Sequence, residues 1–125
     1  MAIDALYIQI MDVNNGDIPL EFRRIDLESQ VRNGDISTRD FVRALASSEA
    51  YSDRFYTPYP NAKSIEFLFR HLLGRAPASS DEMSAYELIV KEQGFLAAVN
   101  VMVNSAEYTR YFGTEVVPYH RFVAN

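Results

Sequence analysis

The sequence predicts an all-α fold, and three observations predict it. Ser, Thr or Asn residues stand at helix-start positions at intervals along the chain, apolar residues repeat three and four apart after them, and glycine or proline closes most of these runs. With 125 residues and 48% apolar content the chain can bury one core, and it is too short for a second domain to be expected. The expected architecture is a single compact domain of about six to seven short helices with an extended C-terminal arm. Residues 1–17 read as an N-terminal arm or short helix, 18–115 as the helical body and 116–125 as the exit arm.

The elements follow in order. Residues 1–16 fit either a helix or a trailing arm. Phe22, Ile25, Leu27 and Val31 make no clean stripe, yet a helix over about residues 20–32, ended by Asn33-Gly34, is the better reading. Ser37-Thr38-Arg39-Asp40 has the spacing of a capping box, and Ile36 and Phe41 sit where a hydrophobic staple would clamp the entry. A helix over 38–46 then buries Phe41, Val42 and Leu45. Ser47 or Ser48 caps a short helix with Tyr51 and Phe55 one turn apart, ended by Pro58 and Pro60. Asn61 caps a helix over 62–73 whose Ile65, Leu68, Phe69 and Leu72 share one face. Arg70 and His71 suit its negative end, Gly74 its left-handed stop, and Pro77 blocks continuation.

Ser79 and Glu82 open the next helix, which runs to Gln93 with Met83, Tyr86 and Val90 inward and Gly94 as its stop. Phe95, Ala98, Val99 and Met102 repeat the helical spacing. Ser105 caps a last helix with Tyr108 and Phe112 inward, and Gly113 ends it. Ser48, Tyr51, Ser52 and Phe55 match Ser105, Tyr108, Thr109 and Phe112 in offset. Either two short capped helices occupy similar places in two halves, or the likeness is chance. Val116 to Phe122 lacks helical periodicity and reads as an extended arm.

Composition excludes several function classes. Net charge is −5; residues 20–75 are near neutral, with nine Lys/Arg against eight Asp/Glu, and the flanks are acidic. Nucleic acid is a poor partner for such a chain, because phosphate neutralisation needs a basic excess. Phe95 to Val99, the longest apolar run, falls far short of the roughly 20 residues of a membrane span, so no direct membrane insertion by this segment is expected. The N-terminus lacks signal-peptide zones, and a soluble intracellular chain is expected. With no cysteine there is no disulfide, no thiolate nucleophile and no thioether point for a tetrapyrrole.

Candidate chemistry is thin. Asp12-Val13-Asn14-Asn15-Gly16-Asp17 begins like a calcium loop, but its glycine comes one position early and its twelfth position is Arg23. His71 and His120 have no ligand partner at metal-site spacing, and His71 reads as a helix terminator. The serines at 37, 48, 79 and 105 are explained as caps, and Asp81-Glu82 as first-turn acids. No catalytic residue, metal ligand or cofactor-binding residue is therefore expected. Aromatic residues stand out instead, in Phe55-Tyr56-Thr57-Pro58-Tyr59-Pro60 and in Tyr108 to Phe122. About half of these rings should close the core. Tyr56, Tyr59 and Tyr111 are expected to be the exposed ones, available to a protein partner.

The order and spacing of several blocks resemble phycobilisome linker domains. Val31-Arg32-Asn33-Gly34-Asp35-Ile36-Ser37-Thr38-Arg39-Asp40-Phe41-Val42-Arg43-Ala44-Leu45-Ala46 is similar to their opening signature, and Phe67-Leu68-Phe69-Arg70-His71-Leu72-Leu73-Gly74-Arg75-Ala76-Pro77 to their most distinctive block. With Ser48-Glu49-Ala50-Tyr51, Ser105 to Tyr108, Tyr111 to Gly113 and Val117 to Tyr119, the likeness covers about residues 18–122. Tyr56 to Asn61, before Glu66 to Arg70, is most similar to the core-membrane repeats of that family rather than to its rod members.

What the resemblance implies is a non-catalytic scaffold that organises phycobiliprotein rings, allophycocyanin trimers above all, in the phycobilisome core on the cytoplasmic or stromal face of the thylakoid membrane. It would tune light-energy transfer toward the photosystems and meet other linker repeats. Bilin chromophores are expected on partner proteins or on a separate domain of a longer parent chain, of which this would be a fragment with an added Met1. An isolated domain of this kind can self-associate through the patch it gives to a ring. Many such linkers are basic, whereas this chain is acidic, so partner contacts fall to local arginines: Arg23, Arg24, Arg39, Arg43, Arg54, Arg70 and Arg75. A rod or rod-core linker domain binding phycocyanin is the nearest rival. A small helical enzyme or calcium-regulated module is the rival from another class.

Overall fold

The computed structural model describes residues 3–14 and 17–121. Among them stand eight α-helices and no strand: α1 Ile3–Met11, α2 Ile25–Arg32, α3 Thr38–Ala46, α4 Glu49–Phe55, α5 Asn61–Leu68, α6 Ser80–Gln93, α7 Phe95–Val103 and α8 Ala106–Phe112. The all-α expectation holds, with one helix more than the upper count.

That additional helix is α1. Ile3, Leu6, Tyr7, Ile10 and Met11 recur three and four apart and are all buried, so α1 lies in the core against α3 and is no trailing arm. Burial of side chains this size stabilises by about 1.5–3 kcal/mol each. The helical body thus includes residues that the sequence set apart from it. Around α1 and α3, one continuous core gathers Phe41, Val42 and Leu45 of α3, Ile65 and Leu68 of α5, and Ala98, Val99 and Met102 of α7. α3 packs on both α1 and α7, and α6 lies along α7 and α5.

Helix starts follow the capping chemistry where a serine supplies it. Ser37 Oγ accepts from the Asp40 N–H while the Asp40 carboxylate accepts from the Ser37 N–H, a complete capping box. Ser48, not Ser47, caps α4 by accepting from the Tyr51 N–H, and its hydroxyl donates back to the Leu45 carbonyl at 2.6 Å. Ser105 repeats both bonds, with Tyr108 N–H and the Met102 carbonyl. Tyr51 and Tyr108 are fully buried, so the two capped helices noticed in the sequence share their local structure.

Three elements depart from expectation. The helix expected over 20–32 starts only at Ile25; Leu20–Phe22 form one 3-10 turn, and Arg23 is extended. Tertiary contacts override local propensity here: the Arg24 N–H donates to Tyr7 Oη, and Arg23 reaches Asp4 and Glu28. Asn61 is the first residue of α5, not its cap; Pro60 takes that place without a side-chain bond. The helix expected to run to residue 73 is α-helical only to Leu68, and Phe69–Leu73 form a π-helical turn.

The wider turn buries Phe69, His71, Leu72 and Leu73 together, more of a five-residue segment than one α-helical face admits. Gln9 Nε2 donates to the Arg70 and His71 carbonyls at 3.3 and 3.0 Å, which ties α1 to the turn. Gly74 then stops it at φ 72°. The extended segment 117–121 crosses directly over that glycine: the Arg121 N–H donates to the Gly74 carbonyl at 2.7 Å. The part of the expected exit arm beyond residue 121, Phe122 included, lies outside the described residues.

Candidate functional site

Two groups of arginine and aromatic side chains and one pair of arginines reach toward the surface, and the elements above place each. Tyr59 in the loop before α5 and Arg70 in the π-helical turn after it flank Phe67 of α5: the two rings lie 5.1 Å apart and the Arg70 guanidinium lies 5.9 Å over Phe67. Lys63 covers the same ring at 5.1 Å. Tyr59 and Arg70 are exposed, so this is a mixed aromatic and cationic face that offers flat contact area beside charge.

At the end of α8, Tyr111 is exposed, with the Arg110 and Arg121 guanidiniums 5.5 and 3.8 Å from its ring centre. Tyr119, also exposed, stands edge-on to Phe112. On α3, Arg39 and Arg43 lie one turn apart and face the start of α8: Arg39 Nη1 donates to Thr109 Oγ1 at 3.3 Å, and Arg43 donates to Asn104 and, at 2.8 Å, to Asp40.

Most of the remaining sequence candidates serve the fold. Arg75 was expected among partner-facing arginines, but it is buried. Its Nε and Nη2 bind Glu107 at 2.7 Å each, and Nη1 and Nη2 bind Glu82 at 2.7 and 2.9 Å, so both carboxylates are held in bidentate fashion. A further bond to the Ala76 carbonyl leaves that fork no capacity for a partner. Arg75 holds both the Glu82 and the Glu107 carboxyls below the usual range. Tyr56 is half-buried rather than exposed, because its ring stacks on Phe95 at 4.4 Å.

Arg54 donates to the carbonyls of Met11 and Asp12 and so closes the C-terminus of α1. Arg23 bridges Asp4 and the buried carboxylate of Glu28, which also accepts from Tyr7 Oη at 2.7 Å. Arg24 pairs with exposed Asp26 at 3.4 Å, a contact of little energetic weight.

Two features escaped the sequence. Leu20 and Ile25 are 81% and 63% exposed, the most open large aliphatic side chains of the described residues; for Ile25, its failure to fit one stripe with Phe22, Leu27 and Val31 was the available signal. His71, read as a helix terminator, is buried among Tyr51, Phe55 and Phe67. Its ring nitrogens bond Tyr51 Oη at 2.9 Å and the Asp12 carboxylate at 3.2 Å. Only the tertiary fold brings these three together.

Burial pushes the His71 pKa down, against the opposing pull of Asp12, while the charges of Arg70 and Arg54 add to the depression. Below the ordinary value of 6.5 the unfolded chain takes up a proton that the folded one refuses. Stability is therefore expected to be full above about pH 6.5, to fall as pH drops below it, and to stop falling on this account beneath the folded value. Urea midpoints of wild type and His71→Gln between pH 7.5 and 5 check this: the wild-type decline should be steeper.

A family model described as the phycobilisome linker polypeptide matches residues 1–121. The chain is 57% identical over 122 residues to phycobiliprotein ApcE of Nostoc sp. (strain PCC 7120), covering 98% of this chain and 11% of that protein. To phycobiliprotein ApcE of Microchaete diplosiphon it is 54% identical over 121 residues, covering 97% and 11%. To that of Cyanophora paradoxa it is 42% identical over 121 residues, covering 95% and 13%. The chain thus spans only about a tenth of the length of these relatives. An all-helical domain whose whole described length is covered by one family model belongs to the phycobilisome linker polypeptides.

Proposed function

We propose that this domain is a non-catalytic linker repeat of a core-membrane linker, which organises allophycocyanin trimers in the phycobilisome core and tunes energy transfer toward the photosystems. The observation that carries the reading is the match of residues 1–121 to the linker family together with relatives named as phycobiliproteins. Bilins would be carried by the partners or by another part of a longer parent chain, since these 125 residues contain no cysteine for a thioether bond. The assembly would sit on the cytoplasmic or stromal face of the thylakoid.

The surface supports a docking role. The Tyr59–Phe67–Arg70 face and the Tyr111–Arg121 pair combine the residue types that dominate protein interfaces. Meanwhile the buried ionisable groups are taken up by structure: Glu28 by Tyr7 and Arg23, His71 by Tyr51 and Asp12, Arg75 by Glu82 and Glu107.

Co-sedimentation of the chain with purified allophycocyanin or phycocyanin, with emission spectra recorded at several salt concentrations, tests the reading. Selective binding of allophycocyanin with a shifted emission is the expected result. Preference for phycocyanin would assign the domain to rods instead, and binding to neither would overturn the reading.

A further inference from the structure

The two capped helices α4 and α8 are built alike but differ at one atom. In α4 the hydroxyl of buried Tyr51 meets His71 Nδ1 at 2.9 Å, and His71 is itself backed by the Asp12 carboxylate. In α8 the hydroxyl of Tyr108, on a side chain equally buried, has no hydrogen-bond partner among the described residues. Arg39 and Arg43 lie at the same end, bonded to Thr109 beside it and to Asn104, and their positive charges act on it.

Arg39 is unsatisfied at the same corner. Its Nη1 donates to Thr109 Oγ1, and its Nε, buried, has no partner among the described residues. No carboxylate lies within ion-pair distance of Arg39 among the described residues, whereas Arg43 is matched by Asp40. The corner therefore holds two unsatisfied donors and one uncompensated positive charge. The guanidinium edge left over, Nε with Nη2, is the edge that grips a carboxylate through two parallel bonds.

We propose that the corner between α3 and α8, formed by Arg39, Arg43 and Tyr108, is a seat for a carboxylate presented by a partner protein. An Asp or Glu side chain satisfies what the corner lacks, an acceptor with negative charge. It takes the Nε–Nη2 edge of Arg39 and the Tyr108 hydroxyl as donors, while Asp40 and Asn104 hold Arg43 alongside. Arg39 Nε and the Tyr108 hydroxyl are both buried in the free domain, so the Arg39–Thr109 contact, at 3.3 Å weak enough to exchange, gives way for the carboxylate to reach them. In half of the fold the tyrosine's acceptor is internal; in the other half it comes from outside.

The identity of the partner rests on the linker reading, whereas the seat itself does not. Tyr108→Phe removes a donor that has no acceptor in the free domain, so the variant should melt no lower than wild type, yet bind allophycocyanin about tenfold more weakly. Arg39→Gln should weaken binding at least as much, and Lys91→Gln, on the exposed face of α6, should leave it within about twofold. Wild-type affinity in both Tyr108→Phe and Arg39→Gln would overturn the seat.

A second measurement is independent of any phycobiliprotein. In nitrogen-15 spectra the Arg39 Nε–H signal should shift saturably with sodium acetate and not with sodium chloride, and the shift should shrink in Tyr108→Phe. If wild type binds no phycobiliprotein, the linker reading fails and this titration alone decides the seat. An acetate response no larger than the chloride response would then overturn it.

Discussion

Arg75→Ala is expected to destabilise the domain by about 3–5 kcal/mol, the range for removing one partner of a buried ion pair. The loss is large because one guanidinium serves two carboxylates: Glu82 in the first turn of α6 and Glu107 in the first turn of α8. Without it, both are left facing each other with reduced solvent and no cation but Arg121, which reaches Glu107 only. A fall in Tm of roughly 10 °C or more should be seen. Arg75→Lys keeps the charge but not the fork, and should recover only part of the loss. The deficit should also shrink in acid: both carboxyls titrate below their ordinary range in the folded state, so the network's contribution is full above about pH 4.5 and is lost as pH falls through the folded values. Melting wild type and Arg75→Ala at pH 7 and pH 3 measures both effects; an Arg75→Ala deficit that stays constant with pH would refute the account.

Gly74→Ala should be the most damaging small substitution in the chain. At φ 72° an L-residue pays about 1–2 kcal/mol in backbone strain alone. Space adds a second penalty, since the added Cβ would stand 1.9 Å from the Tyr119 carbonyl oxygen, which is backbone and cannot rotate away. Segment 117–121 must then lift, breaking the Arg121 N–H bond to Gly74 and the Arg121 side-chain bond to the Leu73 carbonyl. The expected loss is at least about 2 kcal/mol, with faster amide exchange at Arg121. Gly34 is the control: its φ is 79°, but nothing lies within 4 Å of a Cβ there, so Gly34→Ala should pay only the strain.

The fold was legible wherever local chemistry decides it. Ser37, Ser48, Ser79 and Ser105 all act as caps, and Gly74, Gly94 and Gly113 stand at helix ends with positive φ. Legibility failed where distant groups decide. Nothing near residue 24 announces that its N–H will be claimed by Tyr7, and nothing near residue 69 announces that Gln9 will bond a widened turn. The same divide runs through the surface. Tyr59 and Tyr111 were readable as exposed, Tyr59 from its proline-bounded loop, but Arg75 was not readable as buried, because its two carboxylate partners lie 7 and 32 positions away. His71 was missed for the same reason: Asp12 follows α1 and Tyr51 lies in α4, far from it in sequence.

The π-helical turn at Phe69–Leu73 has a mechanical consequence. Gln9 and Asp12, at the end of α1, fasten to its carbonyls and to His71. Arg121 fastens to its last carbonyl, at Leu73, and to Gly74 just beyond. The early segment is therefore latched to the middle of a five-residue element, and the late segment to its C-terminal end. Tension applied between residues 12 and 121 reaches that turn through a few polar bonds, beside the packing of α1 on α3.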